Sequence, residues 1–134
     1  MKIPKWADGL INLVITDYQS TRPEINWRRA HSKKIFYNGE LLNTREKSKY
    51  SSGCTNSKRI AITVGSSRKD ARLVLLHELS HWLCPKGEHH GKLFWDLAFE
   101  LYRKYKVPMY YALNREKRYR KEAQFAYRRN RSKI

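Results

Sequence analysis

The sequence predicts an α+β domain, and three observations carry that prediction. Apolar residues recur at helical spacing over residues 6–19, 66–84 and 91–105. Between the first two of these segments, residues 24–64 hold short runs of strand-forming residues. Gly, Ser, Asn and Pro mark the joins. The order is helix, then strands, then two helices and a basic tail, which keeps helices and strands apart rather than alternating them.

Each element has its own signal. Trp6, Leu10, Leu13, Val14 and Tyr18 lie at near-helical spacing and predict an N-terminal helix over 6–19. "EINWRR" and "SKKIFYNGEL" suggest two short strands, with Asn38-Gly39 as a hairpin-type turn. "TREKSKYSSGCTNS" reads as a polar loop around Gly53. "KRIAITVG" alternates Ile60, Ile62 and Val64 toward one face before Gly65 stops it, as a strand with one buried side does. The expected sheet is short and mainly antiparallel. In "SSRKDARLVLLHELSHWLCP", Ser66 or Ser67 caps a helix, Asp70 suits its first turn and Pro85 marks its end. "GKLFWDLAFELYRKY" predicts the next helix, with Leu93, Leu97 and Leu101 on one stripe and Phe94 and Ala98 beside it. Pro108 breaks the chain again. Residues 1–112 then form the folded domain, and 113–134 a basic C-terminal helix or tail.

The 134 residues suffice for one core but not for two. No apolar run approaches the length of a membrane span, and the N-terminal segment lacks the pattern of a signal peptide, so the expected location is cytoplasmic. Cys54 and Cys84, in such a chain, are expected to be reduced thiols. Lys and Arg number 29 against 12 acids, a net charge of +17. That lies far outside the range of about 2–8 usual for a small domain. It favours polyanions, chiefly nucleic acid, through counterion release. Residues 115–134 alone hold nine Lys or Arg against two Glu, a net +7. Arg115, Lys117, Arg118, Arg120, Lys121, Arg128, Arg129 and Arg131 are the candidate phosphate contacts. Tyr119, Phe125 and Tyr127 interleave with them as candidate stacking residues, or else pack the segment onto the domain.

Four of the five histidines fall between residues 77 and 90. His77, Glu78 and His81 form H-E-x-x-H on the helix of 66–84, and positions i and i+4 share one face. Two imidazoles so placed can reach one metal ion, while the carboxylate between them approaches a coordinated water without being a ligand. A metal lowers the pKa of that water, and the carboxylate takes its proton. Leu73 to Leu76, Leu79, Trp82 and Leu83 make this helix apolar almost all round, so an unpartnered His-Glu-His set there would be costly. A zinc ion answers that cost. The third ligand is open among His89, His90, Glu88, Cys84 and Glu100. Closure by Cys84 would make the site structural, whereas three ligands would leave a position open for chemistry.

"LLHELSHWLCPKGEHHGKLFW" resembles the SprT-like zinc metalloproteases (the Spartan group) and the related WLM and YgjP-type peptidases. The shared pattern is HExxH, a variable loop, then His with Phe four residues later. Here that second part is His90-Gly91 with Phe94. "KYSSGCTNSKRIAI" resembles the segment that precedes the active-site helix in the same group, so the likeness spans roughly residues 45–105. The loop between His81 and His90 is shorter than in Spartan-type proteins and longer than in YgjP types, and no paired cysteines of a following zinc ribbon are present. The resemblance implies a small zincin-like fold, one Zn2+ per chain held by His77, His81 and His90, and Glu78 as general base, with His89 a neighbour. It implies a peptide substrate aligned beside an edge strand, 60–64 or its neighbour, and protein substrates associated with nucleic acid, DNA rather than RNA. In "VPMYY", Met109 and Tyr111 have a spacing that resembles the metzincin Met-turn. Tyr111 is therefore a possible oxyanion donor, aromatic packing after a proline break being the competing reading.

The expected function is thus a monomeric, zinc-dependent endopeptidase acting on proteins associated with nucleic acid. The alternatives are a nucleic-acid-binding module with a structural zinc, and a structural or assembly protein that retains a protease-like site.

Overall fold

A computed structural model describes residues 2–30, 33–45, 49–85, 89–116 and 120–133, with the backbone alone for 33–37, 41–45 and 120. The fold is α+β. Helix α1 (Lys5–Asp17) is followed by strands β1 (Glu24–Arg29), β2 (Lys33–Tyr37), β3 (Glu40–Arg45), β4 (Ser52–Thr55) and β5 (Arg59–Val64). Helices α2 (Arg68–Leu83), α3 (Lys92–Lys104), α4 (Met109–Arg115) and α5 (Arg120–Arg131) complete it.

Helix α1 buries Ala7, Leu10, Ile11 and Val14, a stripe one helical face wide. Leu13, which spacing assigned to that stripe, is exposed. Ala7 and Ile11 fill the face instead. The main sheet has the order β1-β5-β4, with β1 parallel and β4 antiparallel to β5. The sheet is therefore mixed rather than mainly antiparallel. The physical reason is the long connection from β1 to β5, which lets β5 return in the same direction. The β2-β3 ribbon stands apart as an antiparallel pair turning at Asn38 and Gly39, both at positive φ, as the Asn-Gly signal requires. Strand β4 lies inside the stretch expected to be a polar loop. Its residues Ser52 to Cys54 are exposed, so it has no apolar alternation to betray it.

Ile60 and Ile62 of β5 and Trp27 of β1 face the core. Against that face lies α2, capped by Ser67, whose side chain accepts the Asp70 backbone N–H. Leu75, Leu76 and Leu79 of α2 are fully buried. On its other side α3 buries Phe94, Trp95, Ala98, Phe99, Leu101 and Tyr102. This arc is rotated from the expected stripe: Leu93 is 55% exposed, because the bulky aromatic residues take the inner positions.

The predicted boundary after residue 112 falls inside α4, and α5 packs on α3. Ala123 and Ala126 are buried there, Tyr127 meets the Phe99 ring edge-on at 6.2 Å, and Asn130 donates to the Asp96 carbonyl at 3.1 Å. The small alanines let the two helices approach closely. No described helix is long and apolar enough to cross a membrane.

Candidate metal centre

His77 and His81 lie one turn apart on α2, on the face turned toward α3, and both are half-buried. His90 arrives from the segment just before α3, whose N-cap is Gly91. Phe94, one turn into α3, stacks on the His81 ring at 4.1 Å and meets His77 and His90 edge-on at 5.0 Å each. Aromatic walls thus hold three imidazoles on a shared point. His90 Nε2 lies 3.1 Å from His81 Nε2 and 3.3 Å from His77 Nε2. Two ligand atoms on a tetrahedral zinc with ordinary Zn–N bonds are ~3.3–3.4 Å apart. The donor set therefore fits a metal ion, and these three histidines are the group among the described residues that can hold one.

Electrostatics favour the ligating form. Burial, and after it the neighbouring His77, pushes His81 down to about 4 and lowers His90 as well, so both are neutral at physiological pH. His77 is oriented from behind: its Nδ1 lies 2.9 Å from Glu116 Oε1. A carboxylate there fixes the proton on Nδ1 and turns the Nε2 lone pair toward the shared point. Tyr102, fully buried, donates to the same oxygen at 3.1 Å, its hydroxyl pKa raised by burial and then by Glu116. Sequence reasoning missed Glu116. The available signal was its place as one of only two acids in the basic run 115–134.

Glu78 is buried, 5% exposed. Thr55 of β4 donates to Glu78 Oε1 at 2.8 Å, and burial holds the carboxyl pKa above its usual range. Gly53 on β4 makes room for it. A Cβ at that position would lie 2.9 Å from Glu78 Cγ and 3.0 Å from the Ala61 carbonyl oxygen. Thr55 and Gly53 are thus further site residues, hidden in the stretch read as a loop.

The remaining candidates separate. His89 is exposed, and Glu88 lies outside the described residues. Glu100 accepts the Tyr18 hydroxyl at 2.6 Å and is not in the cluster. Cys84 is partly buried and is not among the clustered ligands, and neither it nor Cys54 is in a disulfide. The Tyr111 hydroxyl donates to Asp70 at 3.1 Å, near the N-terminus of α2 and two turns before His77, so it does not face the histidines. Asp70, 1% exposed, also accepts the Ser51 backbone N–H and Arg115 Nε at 2.6 Å, a buried knot that ties α4 to α2 and to the start of β4. Arg115 is therefore engaged with the fold, as is Arg129, whose Nε donates to Asp96 at 2.6 Å. Lys121, Arg128 and Arg131 are exposed on α5. Lys117 and Arg118, and the Arg120 side chain, lie outside what is described.

Two cavities flank the cluster. One of about 380 Å³ is lined by Gly53, Val74, His77, Glu78, Arg115 and Glu116 among others. A second, of about 560 Å³, includes Thr55, Asn56, His81, Trp82, Cys84 and His89 in its wall. Strand β4 borders both, and among the described residues it is an edge strand, paired on one side with β5. Strand β5, by contrast, is central. Comparison of this chain with protein-family models, with curated proteins and with solved structures finds no match.

Proposed function

We propose that the protein is a zinc-dependent endopeptidase, SprT-like in its site, that acts on proteins associated with nucleic acid. One observation carries this reading: three imidazole Nε2 atoms converge beside a buried carboxylate, Glu78, at an open cavity bordered by an edge strand. A bound zinc would be held by His77, His81 and His90 and would supply a Lewis acid for a carbonyl oxygen and for water. The chain's own residues do the rest. The free edge of β4 pairs with an extended peptide and carries it from one cavity to the other, past Glu78. Thr55 fixes Glu78 Oε1, and Oε2 is the oxygen assigned to the proton of the attacking water. The raised carboxyl pKa brings Glu78 closer to the pH of operation, which suits a group that accepts a proton and then returns it to the leaving amine. The nucleic-acid side of the reading rests on the +17 charge and on the exposed cations of α5.

The test is cleavage of an unfolded protein substrate by the zinc-loaded chain and by Glu78→Gln. The variant is expected to keep fold and zinc and to lose roughly 10²–10⁴-fold in rate. Equal rates in the two proteins would overturn the peptidase reading.

A further inference from the structure

At the end of α2 remote from the histidines lies a separate cavity of about 220 Å³, walled by Trp6, Trp27, Arg29, Gly65, Ser66 and Arg68 among others. Two exposed arginines, Arg29 and Arg68, line it. Neither Arg29 nor Arg68 has a carboxylate partner among the described residues, and no carboxylate is in the described wall. Arg68 also stands close enough to Arg72 that its charge, after burial, lowers the Arg72 pKa. Like charges gathered without a counterion are unfavourable, and a bound anion relieves them.

The Arg68 guanidinium is already positioned. It lies over the Trp6 ring at 5.0 Å, and Trp6 is held edge-on against the buried Trp27 at 5.8 Å. A guanidinium held near a ring by cation–π attraction still has five N–H donors to share, and they match phosphate oxygens. Arg29 and Val64 are the carboxyl-terminal residues of the parallel strands β1 and β5, so both strand ends open onto the same space. The volume holds a phosphate group with several waters, at roughly 30 Å³ per water.

We propose that this cavity is a phosphate-binding site, with Arg68 and Arg29 as its charged donors. The site is independent of the peptidase reading and lies on different residues. Its phosphate comes either from a nucleic-acid backbone or from a free phosphorylated small molecule, and the two share the same recognition chemistry.

The experiment follows the indole N–H signals of the isotope-labelled full chain by NMR during titration with inorganic phosphate, with sodium chloride as an ionic-strength control. Phosphate is expected to shift the Trp6 signal saturably, leaving Trp95 beside the histidines unmoved. Arg68→Gln and Arg29→Gln should each weaken binding by about tenfold, the usual effect of removing one charged donor. Should Arg68→Gln fail to fold, Arg29→Gln, at the exposed end of β1, carries the test alone. Repeating the titration with a nucleoside monophosphate and with a short oligonucleotide separates the sources. Loss of oligonucleotide affinity in the variants assigns the site to a nucleic-acid backbone, whereas loss for the monophosphate alone assigns it to a small molecule. A chloride-like response to phosphate, or variants that bind phosphate as the parent does, would overturn the proposal.

Discussion

Helices α2 and α5 both carry many ionisable side chains, but they hold them in opposite ways. On α2, His77, Glu78 and His81 sit among fully buried leucines, and His77 and Glu78 each have a fixed partner, Glu116 or Thr55. On α5, the alanines face inward and Lys121, Arg128 and Arg131 stand in solvent. The first arrangement holds each group by a defined partner, as the proposed bond-making chemistry requires. The second fixes only charge, which suffices for phosphate. Single substitutions should therefore act steeply around α2 and in shallow, additive steps on α5.

The steepest effect short of removing a reacting group should come from Gly53→Ala. The added Cβ meets Glu78 Cγ and the Ala61 carbonyl inside contact distance, so Glu78 or strand β4 must shift and the carboxylate's placement against the strand changes. A displacement near 1 Å is expected to lower cleavage roughly 10²-fold. Zinc content, measured on the same preparation, should be unchanged, since the histidines are untouched. An unaltered cleavage rate would break the claim that Gly53 is there for Glu78.

Next comes Glu116→Ala, which removes the acceptor behind His77 Nδ1. Zinc affinity, measured by competition with a chelator, should fall by roughly 10–100-fold. If affinity stays constant, His77 is oriented by its aromatic neighbours alone and Glu116 serves only Tyr102.

The smallest effects belong to α5. Neutralising Lys121, Arg128 and Arg131 together should reduce the salt slope of duplex DNA binding by up to ~2.7, at about 0.9 per phosphate contact. Cleavage of a free peptide should not change. Arg129→Gln should instead register in thermal stability, because its partner is Asp96 on α3. A salt slope unmoved by the triple variant would assign α5 to packing.

The same contrast explains what was legible in the sequence. The long helices were visible because their apolar positions repeat and their ends are punctuated by Ser67, Pro85, Gly91 and Pro108. His77, His81 and His90 were found together because two share a helical face and the third sits in the His90-Gly91…Phe94 pattern. Strand β4 was not found, since an exposed edge of Ser, Gly, Cys and Thr has no period-2 signal. Glu116, Thr55 and Gly53 went unseen with it, for they reach the site by tertiary packing across 39, 23 and 25 residues from the side chains they serve. The parallel pairing of β1 with β5 was hidden for a similar reason, because a hairpin signal speaks only for consecutive strands. Composition makes the tail a source of phosphate contacts, yet Arg115 and Arg129 are ion-paired within the fold, and composition alone cannot separate such cations from free ones.

The most direct measurement is the zinc content, by elemental analysis, of the parent chain and of His90→Ala and His89→Ala after identical dialysis. One zinc per chain is expected in the parent and in His89→Ala, whose side chain is exposed and outside the cluster, and loss of the metal in His90→Ala. A parent chain without zinc, or His90→Ala holding it as firmly as the parent does, would contradict the three-histidine centre on which the proposed chemistry stands.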